Sequence, residues 1–524
     1  MPSITQSGAL NTTALVVPDL YVQIVPPAIT NLNGVPTNQV AVVGTASWGP
    51  INTPVVVGDM AGYNTAFGNL KARKYDMGTP IATAIQQGAS NFLCSRVTDA
   101  TDVAATATDL NNCLTLTGLH TGSYINGCKL TISAGSKVNT WRAVFSPPVG
   151  VPELYDNIPG TANAFWVNLA AAINNGIANT SRLASAWLVA TAGAGTTAPA
   201  AATYTLAGGT DGASGVTAAT LVGNNGSPRT GIYVFANSSA SLLVVSDADD
   251  STQFTTIDPF ALAEGMYAIQ VLPSGTTIAE AVTAKQTAGL DSYATKLMHG
   301  DWLLWNDPVN GYRRFVSPQG FVAGRLANLS PEQSSLNKQL YGIIGSETSG
   351  EVGNGQLATY STAELQQLFQ AGIDVITNPI PRGAMWGVRG GINSSSNSAV
   401  NGDNYTRLTN YITETIAAGE GQYVGDVVDS AYLTTVETVQ TTLFSNMYAV
   451  GMIGSVDGSL PFSVTCNTTN NPATQLQDDI VQCDIAVRYS PINAKFIVNI
   501  QGGQTVSITP QSLGTSGYGT ASPI

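Results

Sequence analysis

The sequence predicts an α/β chain of several domains, with an inserted mainly-β domain, an α+β C-terminal domain and extended arms at both ends. Three observations predict it. Apolar strand-like runs alternate with amphipathic helical stretches on either side of a central segment, about 101–212. Within that segment the texture turns to Ala, Thr and Gly with short alternating runs. Both chain ends carry short strand-like stretches joined to the body by turn-rich sequence.

Residues 1–30 read as an N-terminal arm. "ALVVPDLYVQIVPP" (14–27) is an apolar run interrupted by Pro18 and closed by Pro26 and Pro27. Pro18 removes a ladder donor, so a strand at 14–25 fits an edge better than the middle of a sheet. Residues 31–100 read as the first part of an α/β core. "NQVAVVGTASWGP" (38–50) is a buried strand running into a turn, and "NFLCSRV" (91–97) is another. Between them "TPIATAIQQGAS" (79–90) reads as a helix with Thr79 as N-cap, Pro80 at the first position and Gly88 near the end.

Within 101–212, "KLTIS" (129–133) and "WRAVFS" (141–146) read as strands and "TANAFWVNLAAAIN" (161–174) as a helix. "LAGGTDG" (206–212) closes the segment as a hinge. It lacks the Lys-Ser/Thr of a phosphate loop and the spaced acids of a calcium loop, so it is read as a turn.

From 213 to 380 the α/β rhythm resumes. "GIYVFA" (231–236), "SLLVVSD" (241–247) and "YAIQVLP" (267–273) read as strands, and "TIAEAVTAKQTAG" (277–289) as a helix. "STAELQQLFQAGIDVIT" (361–377) carries a capping box, Ser361 with Glu364, then a stop at Gly372 and a strand. Residues 381–503 form a C-terminal domain with two long helical patterns. One places Leu408, Tyr411, Ile412 and Ile416 on a single face; the other does so with Leu433, Val436, Leu443 and Met447. "VQCDIAVRY" (481–489), "KFIVNIQ" (495–501) and "QTVSIT" (504–509) follow as strands, and 504–524 is a C-terminal arm.

Composition narrows the function. The 524 residues leave room for about three or four domains. Charged residues make up only 10%, against about 25% in ordinary domains, so neutral hydrogen-bonding groups wet the surface. The net charge is −13 and no basic cluster exceeds "KARK" (71–74), which argues against direct nucleic-acid binding. "MPSITQSG" lacks the regions of a signal peptide, and no run approaches the ~18 apolar residues of a membrane span. A protein made and folded in a cytoplasm, without membrane insertion, is expected. Two histidines exclude a His-rich metal site, and neither metal nor cofactor is expected. The five cysteines form no CxxC pair, and Cys94 and Cys483 read as small buried hydrophobes.

The order of these pieces resembles the contractile tail sheath family of phages and related bacterial injection machines. "PDLYVQIVPPAI" leads into "GVPTNQVAVVGTASWGPINTPVVV", where the family has a Pro-x-x-Tyr-Val strand, a Val-Pro-Thr step and a Gly-Pro-x-x-x-Pro turn. "YNTAFGN", "GTPIATAIQQGASNFLCSRV", "LLWNDPVNGYRRFVSPQGFVAGRLA", "QAGIDVITNPIPRGAMWGVRG" and "PINAKFIVNI" resemble further family segments, in the right order, from about 18 to 500. Asp374 stands where the family usually has Asn, Lys495 where it has Glu, and 330–356 lacks its Arg-Gly-x-x-x-Ala-Pro-Ala-Asn run.

The resemblance implies a subtilisin-like α/β core, with 213–380 as the subtilisin-like domain. It implies a structural subunit of stacked hexameric rings around an inner tube, in a phage virion tail or a tail-like bacterial weapon. Implied partners are neighbouring sheath subunits, the tube protein, and baseplate and tail terminator proteins. Contraction would drive the tube through the target envelope. An N-terminal strand of one subunit and a C-terminal strand of another would complete a sheet in a third. The residues expected to carry that exchange are Leu15, Val16, Val17, Leu20, Tyr21, Val22 and Ile24 at one end. At the other they are Phe496, Val498, Ile500, Val506 and Ile508.

A subtilisin-like core raises the question of catalysis, which needs a converging Asp, His and Ser. "HGD" (299–301) and "GTSGYGTAS" (514–522) supply the residue types. Ser516, however, lies in a Gly/Ser/Thr tail rather than at a helix start. His299, after a helix-like "SYATKLM", reads as a packed or edge histidine. The chain is therefore read as no enzyme, with a hydrolase and a β-rich adhesin as the alternatives from other classes.

Overall fold

The computed structural model describes residues 3–5, 21–23, 32, 34–109, 111–348, 350–351 and 357–500. Those up to Ser490 form one compact unit, and those from Pro491 onward form another.

A six-stranded sheet organises the first unit. Its order is Thr295–Met298, Tyr267–Val271, Leu242–Val245, Val40–Gly44, Phe92–Arg96, Val55–Val57. The first five are parallel, and Val55–Val57 closes the edge antiparallel. A parallel sheet covered on both faces needs strands that are apolar without interruption. Val40–Gly44, Leu242–Val245 and Tyr267–Val271 are buried at every position. Alternate residues feed opposite layers. Val40, Val42, Leu242, Val244 and Ile269 join one core with Ile81 and Phe321 from the helices Gly78–Gln86 and Gln319–Ala327. Ala41, Val43, Leu243, Val245 and Ala268 join another with Ile257 and Phe260 of the helix Phe254–Ala263. The two helices of the first layer pack closely through glycine: a Cβ on Gly324 would sit 2.4 Å from the Ala84 Cα.

Residues 105–206 build a separate core. A four-stranded antiparallel sheet has the order Glu153–Ile158, Trp141–Ser146, Lys129–Ala134, Ala202–Thr205, and a three-stranded one the order Leu188–Ala192, Leu114–Gly118, Thr106–Thr108. The helix Asn163–Asn175 contributes Phe165, Trp166, Leu169 and Ile173, which pack with Leu116, Phe145 and Trp187. Trp48, from the turn after the first core strand, enters the same cluster.

The seam between the two cores is pinned rather than hinged. Arg96 is fully buried; its guanidinium donates to the carbonyls of Gly49 (2.8 Å), Thr121 (2.7 Å) and Asp211 (3.0 Å). The Asp211 carboxylate accepts from Arg73 (2.6 Å) and from the Ser123 N–H (2.7 Å). The glycines of 206–212 supply the turn, but charge-assisted bonds fix it, against the expectation of a hinge.

A second junction lies under the edge strand Thr295–Met298. The Lys296 ammonium, fully buried, donates to Asp374 (2.6 Å), Asp403 (3.0 Å) and the Ile392 carbonyl (2.9 Å). Asp403 opens the helix Asp403–Glu420 and also accepts from the Tyr267 hydroxyl (2.7 Å) and the Ser335 N–H (3.1 Å). Asp374 accepts from the N–H groups of Val375, Gly390 and Ile392. Its carboxylate thus has a charge partner.

Several local expectations are corrected. "GIYVFA" is a 3-10 helix, Gly231–Phe235, because Gly231 at φ 64° turns the chain instead of extending it. The helix after Tyr75 begins at Gly78, with Met77 as N-cap, so Thr79 lies inside it and its hydroxyl accepts from Arg314. "SYATKLM" holds the sheet strand Thr295–Met298 rather than a helix. Residues 495–500 carry no strand, while 504–509 lies outside the described residues.

Candidate assembly site

Beyond the junction, the helices Asp403–Glu420 and Ser430–Ala449 pack as a pair. Leu408, Ile412, Val439, Leu443, Phe444 and Met447 form their shared core, as their apolar stripes require. Asp429 caps the second helix by accepting from the Tyr432 N–H (2.7 Å).

A two-stranded antiparallel ribbon, Phe462–Thr465 with Asp484–Val487, lies on this pair. Its register sets Phe462 opposite Val487 and Val464 opposite Ile485. A strand's period of two puts these four on one face, where they pack on the helix core with Tyr489. The Phe462 and Phe444 rings lie 5.7 Å apart. Because the sheet stops at two strands, each strand has an edge with no strand partner among the described residues. Such edges template further pairing. The strand Phe462–Thr465 has no counterpart among the sequence expectations; the Phe-Ser-Val-Thr alternation after a Gly458 and Pro461 turn is the signal that finds it.

The residues expected to exchange fall in three places. Tyr21 and Val22 lie in the strand Tyr21–Gln23, which pairs in parallel with Ser3–Thr5, Val22 opposite Ile4. Leu15, Val16, Val17, Leu20, Ile24, Val506 and Ile508 lie outside the described residues. Phe496, Val498 and Ile500 are exposed at 81%, 62% and 87%, with Ile497 at 79%. Four exposed large apolar side chains within five residues form the kind of exposed apolar run that marks an interaction surface.

The "HGD" fragment sits elsewhere, at the end of the sheet's edge strand. His299 is buried, edge-on to Tyr360 at 6.2 Å between ring centres, and burial lowers its pKa to about 4, which leaves it neutral. Asp301 accepts from the Ser346 and Tyr360 hydroxyls, both at 2.9 Å, and from the Thr348 N–H at 2.8 Å. Its carboxylate therefore holds a loop and does not orient His299. Ser516 lies outside the described residues. Among the described residues no helix is long and apolar enough to cross a membrane. None of them form a group of three or more potential metal ligands.

No family model matches the sequence, and no curated protein matches it either. Solved structures do. A sheath tail protein from Listeria innocua superposes with a TM-score of 0.58 at 16% identity, over 84% of this chain and 90% of that one. One from Desulfitobacterium hafniense does so at 0.56 and 16%, over 85% and 93%. The sheath of an extracellular contractile injection system in its contracted state gives 0.52 at 11% identity, over 93% and 99%. Across nearly its whole length, this chain has the fold of the contractile tail sheath proteins.

Proposed function

We propose that the chain is the structural subunit of a contractile tail sheath, in a phage tail or a tail-like bacterial particle. It polymerises as stacked hexameric rings around an inner tube and contracts to drive that tube through a cell envelope. The observation that carries this reading is the fold shared with sheath proteins over 84–93% of the chain. The ribbon supports it from a second side. Two open strand edges in the body, together with strand-forming sequence at both ends, suit a mesh in which neighbours complete one another's sheets.

In this reading the N-terminal residues Leu15–Ile24 of one subunit and the C-terminal residues Phe496–Ile500 or Val506–Ile508 of another flank the ribbon of a third. The central sheet and the parts around it form the subtilisin-like core, and 101–212 projects away from the tube. Baseplate and terminator proteins cap the ends. The subunit is not catalytic, and contraction uses energy stored in the extended packing instead of a nucleotide.

Electron microscopy of the purified chain tests the reading. Full-length protein is expected to build hollow helical tubes, and a variant lacking residues 1–27 to stay soluble and folded without assembling. Tubes built by the truncated chain, or its failure to fold, would return the strand to its own subunit. A full-length chain that never polymerises removes the proposal altogether.

A further inference from the structure

The ribbon places two thiols face to face. Thr465 pairs with Asp484 at its last strand position, so Cys466 and Cys483 are opposed one step further along the same register. Antiparallel pairs alternate between hydrogen-bonded and non-hydrogen-bonded types. The Arg488 N–H donates to the Pro461 carbonyl at 2.7 Å, which makes that pair the bonded type. Counting inward, Ser463 with Ala486 and Thr465 with Asp484 are bonded, and Cys466 with Cys483 is not. The Cys466 N–H agrees: it donates to Glu437 (3.1 Å) and not across the ribbon. In non-bonded pairs Cα atoms lie about 4.5 Å apart and side chains approach most closely, within the ~4.4–6.8 Å that a disulfide spans.

The spacing is also held from behind. Asn470 Nδ2 donates to the carbonyls of Thr465 (2.7 Å) and Gln482 (3.1 Å), bridging the two strands beside the thiols. Asn471 binds the Gln482 backbone in both directions, accepting from its N–H (2.6 Å) and donating to its carbonyl (2.9 Å). Both are free cysteines in this structure. Cys466 is fully buried, whereas Cys483 is half-buried and lines a groove of about 1080 Å³ with Tyr423 and Val481.

We propose that Cys466 and Cys483 are a modification site, a dithiol that a small-molecule disulfide oxidises to a cross-strand bond. The half-buried Cys483, as thiolate, attacks one sulfur of the reagent entering along the groove. One thiolate leaves and a mixed disulfide remains. Cys466 gives its proton to a departing thiolate and attacks the Cys483 sulfur, expelling the second thiol. Two protein thiols lose two electrons and two protons, and one reagent disulfide becomes two thiols. Burial first, then the neighbouring Cys466, push the Cys483 thiol up to about 12, so the pair is slow to react and stays reduced where thiols prevail. The bond locks the closed end of the ribbon and leaves both its outer edges free. Its formation depends on the fold alone and not on the sheath reading.

The test uses the full chain with excess oxidised glutathione, followed by an acid quench, alkylation under denaturing conditions and mass mapping. Cleavage after Asp478 or Asp479 separates the two cysteines. The expected result is the loss of two of the five alkylatable thiols and one fragment pair joining Cys466 to Cys483. Cys483→Ser is expected to abolish the pair; the wild-type map decides the matter even where that variant fails to fold. No linkage at all would overturn the proposal. So would a bond to Cys94, Cys113 or Cys128, or a lasting glutathione adduct on Cys483 beside an alkylatable Cys466.

Discussion

Replacing Lys296 by Met removes the cation that bridges two buried carboxylates while nearly keeping the side chain's volume. In the folded protein burial pulls the Lys296 pKa down, but Asp374 and Asp403 more than offset it and the group stays charged. Burial likewise pushes Asp403 up, and Lys296 with the Ser335 and Tyr267 hydroxyls outweighs it, leaving the carboxyl below its usual range. Breaking a buried pair from one side costs about 3–5 kcal/mol, because the stranded charge keeps its desolvation penalty. Lys296→Met is therefore expected to lower stability by about that much at pH 7.5 in urea unfolding.

The sign with pH follows from Asp403. In the wild type its depressed pKa gives stability that is present above the unfolded carboxylate range and lost as pH falls through the folded value. In the variant Asp403 keeps its burial and the neighbouring Asp374 but loses its ion pair, and Arg407, which makes no ion pair with it, offsets only part of that loss, so the folded pKa rises and acid favours the folded state. The gap between variant and wild type is expected to narrow steadily from pH 7.5 to pH 5. A gap below about 1 kcal/mol, or one that stays constant with pH, would refute the view of this cluster as a charged lock.

Asp76 and Asp247 give the opposite pH signature to Asp403 in the wild type. Burial raises both to about 7, so the folded state binds protons that the unfolded chain has released. Stability is expected to fall by about 2 kcal/mol per pH unit as pH rises from 4 to 7, about 1 from each carboxyl, and Asp76→Asn to halve that slope in thermal melts across the range. Gly324→Ala places a methyl against the Ala84 backbone; the two helices must part, at an expected cost of about 1–3 kcal/mol in chemical denaturation.

Much of the fold is legible in the sequence wherever one period dominates over a long run. The continuous apolar runs at 40–44, 242–245 and 267–271 are sheet strands because both faces are covered, and the capping box at Ser361 marks a helix start as its spacing requires. Legibility fails where a partner distant in sequence decides. "GIYVFA" has strand composition, yet Gly231 and packing against Leu221 and Val222 fold it into a tight helical turn. The Lys296 cluster draws on residues 78 and 107 positions away, which no local pattern announces. Of the site, the apolar alternation of the ends is visible in the sequence, whereas the ribbon that offers edges to pair with is not. The opposition of Cys466 and Cys483 depends on a register that only the fold supplies.

Arg96 has a mechanical consequence. Its guanidinium grips carbonyls from three separate segments, and Arg73 holds one of those segments a second time through Asp211. Sliding the sheets of 106–205 against the parallel sheet would break several charge-assisted bonds at once, where a pair of glycine linkers would let them swing. A pull on those sheets is delivered as torque to the central strands, and the two turn together as a single lever.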